Sequence, residues 1–365
     1  MSKARQLADN GASTPNKNLV KNGAMNVAQR SVSETGLGSG NVNVYYTLDR
    51  FQLSFQNTAG RLTMTQTADG PVGFENCLKL DCTTADTSIA AGEYMAINQA
   101  FESQNCVRIG SGTSAAKEVT VSFYVKGNAS ATYVVQLLNN NHSGYIHNNR
   151  TFAVTTAWVR HEITFQADTT TDSAFDSGAT AGLGVAFIMH AGSNFTSATL
   201  ASDWATGVTN RAAGISSFFD STDRTFYLTG VQIEVGSSAT PFEHKSFAED
   251  LAECQRYYYK TGPVVANDSF CIGFNGSATV AVGVVPFPVT MRAEPTALEQ
   301  QGTGPNYRIA HESTTTNCNS VPTFDRATNQ NGAVVFTVAS GLTSGQGCDL
   351  RSIENSAFLA WSAEL

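Results

Sequence analysis

Charge is scarce in this chain. Asp, Glu, Lys and Arg supply 14% of its 365 residues, against about 25% in an ordinary soluble domain. Ser, Thr, Asn, Gln and Gly must therefore cover most of the surface. The net charge is −8 and no cluster of Lys or Arg interrupts it, which excludes a phosphate-reading surface and removes nucleic acid as an expected partner. No apolar run approaches the roughly 20 residues of a membrane-crossing helix, so no membrane partner is expected either. The opening "MSKARQLADNGASTPNKNLV" has no apolar stretch of the kind that directs secretion. The seven cysteines, at 77, 82, 106, 254, 271, 318 and 348, contain no CxxC or Cys/His ligand spacing. An odd number cannot close into a complete intrachain disulfide set. Buried thiols and synthesis in a reducing cytoplasm are expected, with release by lysis, since the uncharged polar composition is that of extracellular and virion β-proteins.

Catalytic motifs are missing as well. No G-x-S-x-G, HExxH, Walker A or GxGxxG stands between a strand and a helix that would support it, and no enzyme is expected. His142 and His147 lie five apart in "NNNHSGYIHNN" without a third ligand, so no metal is expected there. Asp168, Asp172 and Asp176 share the loop "ADTTTDSAFDSG", where oxygen ligands could gather for calcium, although the spacing is not that of an EF-hand. No other cofactor is expected.

What is present is mostly strand grammar. "RLTMTQTA", "KEVTVSFYVKG", "SATYVVQLLNN", "WVRHEITFQAD" and "RTFYLTGVQIEVG" alternate apolar and polar residues, with Gly-, Ser- and Thr-rich turns between them. This predicts an antiparallel sandwich or barrel from residue 16 to 245. One helix is well signed. In "FEHKSFAEDLAECQRYYYK" (242–260), Ser246 and Glu249 form a capping box, and Phe247, Leu251, Cys254 and Tyr258 fall on one stripe. Residues 246–262 then read as a connecting helix and linker ("TGPVV"), and 263–365 as a smaller β domain. In that domain "TVAVGVVPFPVTM" and "GAVVFTVASG" are near-continuous apolar runs, as in strands covered on both faces. The end, "AFLAWSAEL", is apolar almost throughout. A unit of about 100 residues with these features is expected to share its core with neighbouring copies, that is, to form a homo-oligomer.

"NKNLVKNGAMNVAQRS…YYTLDRF" (16–51) resembles the opening of a jelly-roll module found in bacteriophage tail-fibre and virion-fibre proteins. "VQIEVGSSATPFEHKSFAEDLAECQRYYYK" is similar to the way the module closes. The leader, residues 1–15, resembles a virion-anchoring peptide of fibres from phages of marine and cyanobacterial hosts, and "FPVTMRAEPT" with the terminal "SAEL" resembles a distal tip domain. The resemblance implies an all-β chain with a jelly-roll β-sandwich, one connecting helix and a C-terminal β tip, assembled as a trimer. The implied partners are other virion proteins, docked through Lys3, Arg5 and Leu7 of the leader, and host-surface polysaccharide. The alternatives are a head or neck decoration fibre with a structural role only and a polysaccharide-degrading tailspike.

Receptor contacts are expected on exposed aromatics and the donors beside them. Trp158 lies inside an alternating strand and reads as core. Tyr145 and Trp204 lie in loop-like sequence, and Tyr307, Arg308 and His311 lie in a stretch (300–331) with little core-forming alternation, so these five are the candidate glycan-binding residues.

Overall fold

In the computed structural model, residues 17–262, 265–354 and 357–365 are described. The expected anchoring residues Lys3, Arg5 and Leu7 lie outside them. The chain forms two compact units, one running to Asp250 and the other spanning Leu251–Glu364.

The first unit is an antiparallel jelly-roll sandwich. Its strands are β1 (Ser33–Leu37), β2 (Val42–Val44), β3 (Gln52–Gln56), β4 (Arg61–Thr67), β5 (Cys77–Thr84), β6 (Tyr94–Glu102), β7 (Val119–Gly127), β8 (Ala131–Asn139), β9 (Ile146–Val154), β10 (Val159–Phe165), β11 (Ala181–Ala191) and β12 (Thr225–Val235). One six-stranded sheet runs β1-β4-β5-β12-β7-β10 and the other β2-β3-β6-β11-β8-β9. The two-residue period puts Val119, Val121, Phe123 and Val125 of β7 into the same core as Tyr133, Val135 and Leu137 of β8. The Asn and Gly residues of the opening motif prove architectural. Asn18 accepts from the Ile233 and Val20 amides and donates to the Val231 carbonyl, tying the start of the chain to β12. Asn22 accepts from the Val27 amide and donates to the Val27 and Asp49 carbonyls. Gly23 must be glycine, because a Cβ there would stand 2.2 Å from the Val231 carbonyl oxygen.

The signed helix runs Phe247–Gln255, and the division between units falls within it. Its capping box forms: Glu249 accepts from the Ser246 amide and hydroxyl, and the Ser246 hydroxyl accepts from the Glu249 amide. The expected stripe is shorter than the spacing suggested. Cys254 is buried, but Phe247 is exposed and Tyr258 already belongs to a strand.

The second unit contains β13 (Tyr258–Thr261), β14 (Ser269–Asn275), β15 (Val280–Pro286), β16 (Glu299–Gln300), β17 (Tyr307–His311), β18 (Thr314–Asn317), β19 (Thr323–Ala327), β20 (Asn331–Thr337), β21 (Gly347–Ser352) and β22 (Leu359–Ser362). A seven-stranded sheet runs β18-β17-β21-β14-β15-β20-β19, and a three-stranded sheet β13-β22-β16. Three expectations are corrected here. Thr261, the first residue of the expected linker, pairs with Leu359 in a sheet. The apolar end of the chain is used by its own unit: β22 lies between β13 and β16, and Trp361 is buried against Tyr259 and Phe287. The run "TVAVGVVP" is covered on one face only. Ala281 and Val285 point into the core, while Val284 stays exposed beside Ile272 and Phe274 of β14.

All seven cysteines are buried thiols outside any disulfide. Burial pushes Cys77, Cys82 and Cys106 up to about 11 and Cys271 and Cys318 up to about 12, so almost no thiolate exists near neutrality. The folded chain should resist a thiol reagent at pH 8 and the denatured chain should titrate all seven. Rapid native labelling, or a disulfide at Cys254, would contradict this arrangement.

Candidate functional site

The outer face of the β2-β3-β6-β11-β8-β9 sheet carries a groove, and strand alternation explains its lining. In β3, "QLSFQ", Leu53 and Phe55 enter the core, so Gln52, Ser54 and Gln56 face outward. Register then sets long amide side chains beside short ones. One row across the sheet reads Gln52, Asn98, Ala186, Gln136, Asn149, and the next includes Ala100, Gly184 and Leu138. Gly184 and Ala186 on the middle strand leave the depression. The segment after β11 folds back over the rest of the face, packing Phe195 and Ala212 on Ala96, Ala186 and Ile188. That cover explains why β11 is apolar on both sides.

The groove has two lobes. One of about 370 Å³ is lined by residues including Tyr45, Gln52, Tyr94, Asn98, Gly184 and Arg211. The other, about 250 Å³, includes Tyr145, His147 and Val208, and shares Leu138 and Arg211 with the first. Arg211 at the junction is held in place: its guanidinium lies 5.4 Å from the Tyr94 ring centroid and Nη2 donates to Gln136 Oε1 at 2.7 Å. Gln136 donates on to Asn149, whose amide nitrogen meets His147 Nδ1 at 2.9 Å, while His147 Nε2 lies 2.8 Å from the Gly207 carbonyl. His147 must therefore donate from Nε2 and accept at Nδ1, a neutral tautomer, consistent with burial lowering its pKa. Tyr45, at the far end, has the Arg30 and Arg50 guanidiniums 5.2 Å and 5.9 Å from its ring centroid. Asn98 donates to Ser54 Oγ. Neither lobe is lined by an Asp or Glu side chain, and Leu365 lines the larger lobe, where its carbonyl accepts from the Tyr45 hydroxyl at 3.2 Å. Its chemistry is amide, phenol and aromatic face, with one guanidinium at the junction.

Among the residues singled out from sequence, Tyr145 reaches this groove. Its side chain is 62% exposed, on a backbone with φ of +50°. Trp204 lines neither lobe; its ring packs partly on the core and Nε1 donates to the Gln166 carbonyl at 2.8 Å. The second unit's candidates are corrected. Tyr307 is 0% exposed, its hydroxyl donates to the Gln301 or Phe358 carbonyl, and its ring packs on Phe270, so it offers no face to a sugar. His311 is buried with Nε2 on Thr316 Oγ1, and Arg308 between them is half-buried on the other face of β17. Half of the stretch 300–331 is strand; "YRIAH" alternates buried and half-buried residues and is core-forming after all. Asp168 is buried and accepts from Asn139 and the Thr170 amide, while Asp172 and Asp176 are exposed, and the three do not converge on a common point among the described residues. Sequence reasoning missed Tyr45, Gln52, Asn98 and Arg211, which come from four separate segments. The available signal was polar residues at alternate positions of β3.

No protein-family model matches the chain, and no curated protein matches it. Solved structures with some likeness include a family 4 carbohydrate-binding module, at 12% identity and a TM-score of 0.30, covering 59% of this chain and 99% of that one. Another is the family 11 carbohydrate-binding module from Clostridium thermocellum in complex with a mixed-linked tetrasaccharide, at 10% identity and 0.28, covering 59% and 99%. A third is the enzymatically active domain of bacteriophage CBA120 tailspike protein 4, at 10% identity and 0.29, covering 61% of this chain but 22% of that one. Likeness this weak carries no argument about function.

Proposed function

We propose that the chain is a non-enzymatic adhesin of a bacteriophage virion fibre, and that it holds an uncharged stretch of host-surface polysaccharide in the sheet groove. The observation that carries the binding role is the lining itself: amide side chains, tyrosines and Arg211 around a floor of Gly184 and Ala186, with no Asp or Glu side chain. Side-chain amides pair with adjacent sugar hydroxyls, and tyrosine offers both an apolar face and a hydroxyl. The fibre role rests on the resemblance of residues 16–51 and 231–260 to fibre modules. The test is a glycan array probed with the full chain, followed by incubation with the host polysaccharide. Retention without new reducing ends supports an adhesin. Release of reducing ends would indicate a tailspike enzyme, and no retention on any glycan would leave a structural decoration.

Self-association belongs to the same reading. Ile272 is 71% and Phe274 54% exposed, side by side with Val284 on one face of the β14–β15 pair. Contiguous exposed apolar side chains favour burial against another copy, and a trimer would multiply weak sugar contacts. Phe274→Asp should convert the oligomer to monomer in sedimentation while leaving the melting temperature of the first unit unchanged. A wild-type chain that is monomeric at micromolar concentration would overturn the trimer.

A further inference from the structure

Three buried ligand-type side chains that do not line the groove meet near the ends of three strands. Asp86 follows β5, Glu93 immediately precedes β6, and His190 lies near the end of β11. All three are buried, and one candidate ligand atom from each lies within 4.8 Å of the others. His190 Nε2 is 3.2 Å from Glu93 Oε2, close to the separation of two neighbouring ligands on a tetrahedral ion with bonds of about 2.0–2.2 Å.

A second shell is already built. His190 Nδ1 lies 2.8 Å from Ser217 Oγ, an arrangement that turns Nε2 toward the carboxylates when Nδ1 carries the proton. Asp86 Oδ2 accepts from the Thr58 hydroxyl at 3.0 Å and the Ala59 amide at 2.8 Å, which fixes its carboxylate from behind. The Phe219 ring stands edge-on to the imidazole, 5.2 Å between centroids, and closes the side.

The charge is unbalanced, which is an independent observation. Two buried carboxylates face one imidazole, and among the described residues no Lys or Arg pairs with either. The contact of Glu93 Oε2 with His190 Nε2 is its side chain's one polar partner among the described residues, which leaves Oε1 open to a ligand. Buried charge without a counter-ion is costly, and a cation removes that cost. The Ser217–His190–Glu93 line could be taken for a nucleophile relay, but the imidazole is fully buried and Ser217 Oγ also accepts from the Phe219 amide at 3.1 Å.

We propose that Asp86, Glu93 and His190 form a structural site for a first-row divalent cation of the zinc type, which staples the loop between β5 and β6 to β11. A mixed nitrogen and oxygen ligand set of three suits zinc, with a water completing the four. Calcium takes six to eight oxygens and does not fit it.

The test uses the full chain, stripped with a chelator and titrated with Zn²⁺. One equivalent should bind, raising the melting temperature of the first unit by about 5 °C or more at saturating metal, with no rise on adding Ca²⁺. Co²⁺ in its place should give the visible bands of a tetrahedral nitrogen–oxygen site. Glu93→Gln, which keeps size and a hydrogen-bond acceptor for His190, and His190→Gln should each abolish the shift, whereas His142→Ala should retain it. Less than one equivalent bound, or a shift that survives Glu93→Gln and is lost with His142→Ala, would overturn the site. Should His190→Gln fail to fold, Glu93→Gln and the Co²⁺ spectrum of the unaltered chain decide the question without it.

Discussion

Trp361→Ala should abolish cooperative unfolding of the second unit at ordinary temperature. The indole is fully buried, stacked on Tyr259 at a centroid distance of 6.3 Å and packed against Phe287 at 5.3 Å. A Cβ on Gly332 would lie 2.4 Å from its Nε1, so the backbone of β20 closes directly on the ring. Removing a buried tryptophan costs about 3–5 kcal/mol, a large share of the total stability of a unit this size. Thermal unfolding followed by circular dichroism should lose the second unit's transition and keep the first's. The same variant separates two accounts of the apolar chain end. If that end packed between copies rather than inside its own unit, Trp361→Ala would reduce the assembly mass and spare the monomer's transition.

Gly184→Leu should abolish glycan retention with little effect on folding. A Cβ at Gly184 meets its nearest neighbours at 3.6 Å, 3.7 Å and 3.9 Å, which is ordinary contact, so the backbone tolerates a side chain there. The added isobutyl group then fills the floor of the larger lobe. A sugar excluded from the sheet loses its hydrogen bonds to the amides as well as its stacking, and a loss of tenfold corresponds to about 1.4 kcal/mol. We expect at least that in a binding titration, with a melting temperature within a few degrees of wild type. Full retention by the variant would remove the groove from the account.

The fold was readable where apolar and polar residues alternate along a strand. "KEVTVSFYVKG" and "RTFYLTGVQIEVG" became β7 and β12, and Ser246 with Glu249 marked the helix start. Reading failed where packing reversed a local impression. The Thr- and Asn-rich stretch around Tyr307 looked like loop, yet Tyr307 and Ile309 alternate into the core of the second unit. The terminal "FLAW" suggested a partner chain because a free end is usually polar, but a central strand of a small sheet needs the same residues. The groove was nearly invisible in sequence. Its floor is a Gly and an Ala in β11, which read as weak strand, and its walls come from strands far apart in the chain. Asp86, Glu93 and His190 were hidden for the same reason, with about 100 residues between the second and third. Only Tyr145, in a turn flanked by Asn and Gly, announced its exposure locally.

The most direct measurement is hydroxyl-radical footprinting of the full chain, read residue by residue by mass spectrometry, with and without a polysaccharide retained on the array. The groove account predicts that oxidation of Tyr145, Tyr45 and Leu138 falls on binding, while exposed Val265 of the second unit stays as reactive as before. Unchanged oxidation at Tyr145 and Tyr45, with protection confined to residues 307–317, would contradict it and return the receptor site to the second unit.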